Sequence, residues 1–69
     1  MTQQEIVSAC RARLAMFAYM PGVEIDAWLV EHFPGENRQM LRRSSFVIFE
    51  ESRNALYNNV ERFQESGVH

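Results

Sequence analysis

From Glu36 to Ser66 the chain contains neither proline nor glycine. Such a stretch suits a long helix, because proline removes a backbone donor and clashes with the preceding turn, while glycine costs backbone entropy. Leu41, Ser45, Ile48, Ser52, Leu56, Val60 and Phe63 recur along it at near-heptad spacing, with Phe49 beside them. Read as one helix, the segment has about 30 residues and spans about 45 Å at ~1.5 Å per residue. A local alternative exists at Ser44-Ser45-Phe46-Val47-Ile48-Phe49, which is β-prone and whose four consecutive apolar residues suit a short buried strand. A strand needs a pairing partner, and no second β-rich segment is present, so helix is the expectation.

Two shorter helices precede it. Thr2 and Glu5 form a Ser/Thr-x-x-Glu capping box, and Ile6, Cys10, Leu14 and Phe17 follow on one helical stripe. The first helix is predicted from about Gln3 to about Tyr19, ended by Pro21-Gly22, where glycine permits a left-handed turn. The second is predicted from about Glu24 to Phe33. Glu24 and Asp26 sit in its first turn, Ile25, Trp28, Leu29 and Phe33 form its apolar face, and Pro34-Gly35 ends it. The fold class is therefore all-α: two short helices plus one long C-terminal helix, forming a single helical domain over residues 1–69.

Size then becomes an argument. A core built from 69 residues rarely contributes more than about 3–5 kcal/mol, so chains this short lean on disulfides, metal or oligomerisation. Cys10 is the one cysteine, which excludes an intrachain disulfide and fits a reducing, cytoplasmic setting. Cys10, His32 and His69 lack metal-ligand spacing. Two short helices also cannot cover the long one on every side, so a helical homodimer is expected. The opening residues carry no basic, apolar leader pattern, and the longest apolar run, Leu14 to Met20, is far short of the ~20 residues that cross a bilayer.

Nothing in the sequence has the grammar of an enzyme. Ser44 and Ser45 lack a nucleophile-elbow setting, and the three glycines stand alone, without a phosphate-binding loop. Cys10 reads as a buried structural thiol and His32 as a surface or partly packed imidazole. Glu50 and Glu51 are neighbours that point apart on a helix, most simply as a solvated face. No catalytic residue, metal or cofactor is expected.

Protein recognition fits better. Trp28, Tyr19, Tyr57 and five Phe are many aromatics for one small core, and Trp, Tyr and Arg dominate binding hot spots. Met40, Phe46, Val47, Ala55 and Tyr57 lie off the main stripe of the long helix, which makes it apolar on two sides. The candidate partner-binding residues are Trp28, Phe46 and Tyr57 as anchors, with Arg38, Arg42 and Arg43 as the charged rim. The competing reading is a dimeric helix-turn-helix-like DNA-binding regulator: the second helix, Pro34-Gly35, then Arg38, Arg42 and Arg43 in the first turns of the next helix. A net charge of −2 argues against nucleic acid. The bland reading of these arginines is solubility, with pairing to Glu31, Glu36 or Glu50.

All seven basic residues are arginine, which fits a GC-rich coding genome. In size, lysine-free composition and helical layout the chain resembles small early proteins of phages that infect GC-rich bacteria. Some of those bind and disable host regulators, including quorum-sensing transcription activators, or host motor ATPases. The resemblance implies an inhibitor of a larger bacterial or host protein, acting by steric occlusion. It carries no matching residues, so the candidate positions above rest on chemistry alone.

Overall fold

The computed structural model describes the backbone of residues 1–68 and the side chains of residues 1–58. Four helices follow one another: α1 (Gln3–Cys10), α2 (Leu14–Phe17), α3 (Gly22–His32) and α4 (Arg38–Val68). There is no strand among the described residues, and Ser44 to Phe49 lie inside α4. α1, α2 and α3 each pack chiefly on α4, which is the spine of the molecule. Val60 and Phe63, the last members of the expected stripe, lie outside the described side chains.

The capping box forms as the sequence implies. The Thr2 hydroxyl accepts from the Glu5 backbone N–H at 3.2 Å, and the Glu5 carboxylate accepts from the Thr2 N–H at 2.9 Å. The single first helix, however, is interrupted. Residues Arg11–Arg13 form a 3-10 turn that divides it into α1 and α2. Local periodicity contains no signal for this break. Two long side chains with partners elsewhere flank it: Arg11 reaches Glu51 of α4, and Arg13 lies 6.0 Å from the Trp28 ring of α3.

The two turns also divide their work differently from expectation. Gly22 is not left-handed; it is the first residue of α3, with extended Pro21 as N-cap, and the Pro21 carbonyl accepts from Glu24 and Ile25. The one positive φ among the described residues is at Gly35, +86°, where an L side chain would be strained. α4 is then capped by Asn37, whose Oδ1 accepts from the Gln39 and Met40 backbone N–H groups at 2.9 and 3.1 Å.

Ile6, Cys10, Phe17, Ile25, Leu29, Leu41 and Ile48 form the core, each nearly or fully removed from solvent. Trp28 and Phe33 are half-buried at its edge, as is Leu14. On α4 the inner face is notable for serine: Ser44, Ser45 and Ser52 are buried. Small side chains let the other helices approach closely. Ser44 Oγ donates back to the Met40 carbonyl and Ser52 Oγ to the Phe49 carbonyl, both at 2.9 Å, so these hydroxyls are not left unpaired.

Candidate functional site

At about 100° per residue, Phe46 falls roughly opposite Leu41 and Ile48 on α4. Those two residues are buried, and Phe46 is 63% exposed. A phenyl ring left in water on an ordered helix costs hydrophobic free energy that burial against a partner recovers, about 1.5–3 kcal/mol for a fully covered side chain. Phe46 forms a ridge with a shallow hollow on each side. On the α1 side the hollow is formed by Gln3, Gln39, Arg43 and Val47. On the α3 side it is formed by Gly22, Asp26, Ser45 and Phe49. Arg42 borders both.

The arginine rim is continuous with this ridge. Arg38 and Arg42 border a third depression with Asp26, Val30 and Leu41. Arg38, Arg42 and Arg43 are exposed, and none forms an ion pair among the described residues. The pairing with Glu31, Glu36 or Glu50 that would have made them ordinary surface charges is not found. Glu36 instead faces the Met1 amino group at 3.0 Å. Of the two adjacent carboxylates, Glu51 is not simply solvated: it accepts from Arg11 Nε and Nη2 at 3.2 and 3.3 Å. That hydrogen bonding raises the Arg11 pKa.

Phe46, Arg38, Arg42 and Arg43 thus share one surface. Tyr57 is 64% exposed and lies three turns beyond Phe46 on the same side of α4, about 16 Å along the helix by its rise. Trp28 is placed elsewhere. It is half-buried, meets Phe17 edge-on at 5.1 Å, and stacks on His32 at 3.7 Å. It borders neither hollow beside Phe46 and packs against the core between α2 and α3. His32 completes that stack. Its Nδ1 lies 2.9 Å from the Trp28 carbonyl oxygen, within hydrogen-bond distance.

Cys10 is buried, and burial pushes its thiol pKa up despite the opposing charge of Arg13. A raised pKa and a closed environment are the reverse of what a nucleophilic thiolate requires. Among the described residues no three His, Cys, Asp or Glu side chains group as metal ligands. No described helix is long and apolar enough to cross a membrane.

Sequence reasoning passed over Arg53, which turns out to hold three elements together. Its guanidinium donates to the Phe17 and Met20 carbonyls and lies 3.9 Å from the centroid of Phe49. Its only signal was a lone charge beside an apolar stripe, and that does not reveal which carbonyls lie across from it.

Fold and surface together define a small all-helical protein with an exposed aromatic ridge and, on its longest helix, an arginine rim that forms no ion pair among the described residues. No family model, no curated protein and no solved structure matches the chain.

Proposed function

We propose that this chain is a protein-binding protein that acts by occupying a surface of a larger bacterial protein, with a transcription regulator as the leading candidate. The observation that carries this reading is Phe46, an exposed ring between two hollows and beside three exposed arginines. Hot spots combine such an aromatic anchor with arginine, whose planar fork binds carboxylates in two places at once. The mechanism is steric occlusion, so it requires neither turnover nor a cofactor. The likeness in size, lysine-free composition and layout to phage proteins that disable host regulators points the same way.

Affinity capture from a bacterial lysate tests it when wild type is run beside Phe46→Asp and Arg42→Glu/Arg43→Glu. The expected result is a stoichiometric protein retained by wild type and lost with both variants, whose own activity falls when the purified chain is added. Equal retention by wild type and Phe46→Asp overturns the assignment of this face.

A second reading has one observation in its favour. α3, the Gly35 turn and α4 follow in helix-turn-helix order, with Arg38, Arg42 and Arg43 exposed in the first turns of α4. DNA binding that weakens steeply with salt and is lost in Arg42→Ala would replace protein occlusion with DNA recognition.

A further inference from the structure

The Phe46 face carries a charge pattern complementary to its own reverse. Arg42 stands four residues before Phe46 and Glu50 four after, so the three share one side of α4. Arg42 and Glu50 are both exposed, and neither forms an ion pair among the described residues. The neighbouring Glu51 is held by Arg11, and Asp26 of α3 borders the hollow beside Arg42; on α4 itself Glu50 is the carboxylate on the Phe46 side.

We infer that, in the absence of a larger partner, the occupant of this face is a second copy of the chain, with the two α4 helices antiparallel. The twofold axis passes beside Phe46. Arg42 of each copy then faces Glu50 of the other, twice per dimer. Each Phe46 ring drops into a hollow beside the other ring, against Val47 or Phe49, as ridges of one helix fill the grooves of another. The opposite direction is disfavoured by the same residues. A parallel pair sets Arg42 against Arg42 and Glu50 against Glu50, and like charges facing each other oppose association. In the antiparallel register Gln39 comes opposite Arg53 and Arg38 opposite Asn54, so no like charges stand directly opposite each other there.

This inference rests on the reading of the α4 face as a protein-binding surface and names its resting partner. It has a regulatory consequence. A larger protein that uses Phe46 must displace the second copy, so its apparent affinity falls as the concentration of this chain rises.

Sedimentation equilibrium of the full chain over a wide concentration range is the test, with circular dichroism reporting folding. The expected mass is twice the 8.1 kDa of one chain. Arg42→Glu and Glu50→Arg should each weaken association about tenfold or more, and the double swap should restore it to within a few-fold. A folded 8.1 kDa species at every concentration, or a double swap no better than either single variant, overturns the inference. If a monomer still captures another protein through Phe46, self-pairing is wrong and protein binding stands. If Phe46-dependent capture is also absent, both readings fall.

Discussion

Arg53 closes the open end of α2: its Nη1 donates to the Phe17 carbonyl oxygen at 2.8 Å across 36 positions of the chain. α2 ends at Phe17, and the last carbonyls of a helix have no donor within it. A cation there also complements the negative end of the helix dipole. Nη2 donates to the Met20 carbonyl in the turn, and the guanidinium covers the Phe49 ring. One side chain of α4 therefore fixes where the α2–α3 turn sits.

Arg53→Ala should lower stability by about 2 kcal/mol, since it removes charge-assisted hydrogen bonds to the Phe17 and Met20 carbonyls, the first of which keeps only the Met20 N–H. Arg53→Lys should recover less than half of that, because an ammonium cannot fork between two acceptors. Urea denaturation followed by circular dichroism measures both. An Arg53→Ala midpoint equal to wild type would show that the turn is held by packing alone.

Phe46 and Ile48 are two residues apart and should respond in opposite ways. Ile48 is fully buried, so Ile48→Val should cost about 0.5–1.5 kcal/mol in folding. Phe46→Ala should change the stability of the dilute chain by no more than about 0.5 kcal/mol, because its ring has little to lose in the isolated fold. Any association is lost instead. Equal destabilisation by the two would place Phe46 in the core.

The capping box gives a pH dependence of known sign. The Thr2 backbone N–H, and then its hydroxyl, stabilise ionised Glu5 and hold its pKa below the ordinary 4.5. A folded pKa below the unfolded one means that the stabilisation is complete above 4.5 and fades as pH falls through the lower, folded value. Glu5 is fully exposed, so the effect is small. Helicity measured from pH 6 to pH 2 should fall less in Glu5→Gln than in wild type. Thr2→Ala should cost about 1 kcal/mol at neutral pH through the lost cap.

Cys10 should resist alkylation in the native protein. With the thiol buried and its pKa raised, the thiolate population available to iodoacetamide is small. The labelling rate should rise in step with the unfolded fraction as urea is added. Rapid labelling in buffer, at the rate of a free peptide thiol, would contradict the core described above.

The helical class and the order of elements were legible because periodicity and punctuation are local. Thr2 and Glu5 announce one helix start, Pro21 and Pro34 mark the turns, and the stretch after Glu36 has nothing to interrupt it. The same pattern located Phe46 and the arginines off the apolar stripe. It could not show that Arg11 and Arg13 part at a 3-10 turn, that Asn37 caps α4, or that Gly35 is left-handed and Gly22 is not. Nor could it place Trp28, whose aromatic character suits an anchor and a core wall equally.

The sequence alone determined which segments coil, where they stop and which side of each is apolar, since these depend on neighbours within a few residues. Tertiary structure decided what each long polar side chain reaches: Arg53 to the Phe17 carbonyl, Arg11 to Glu51, and Arg42 to no ionic partner among the described residues. Those outcomes depend on distances between residues remote in the chain, set only when α1, α2 and α3 pack on α4.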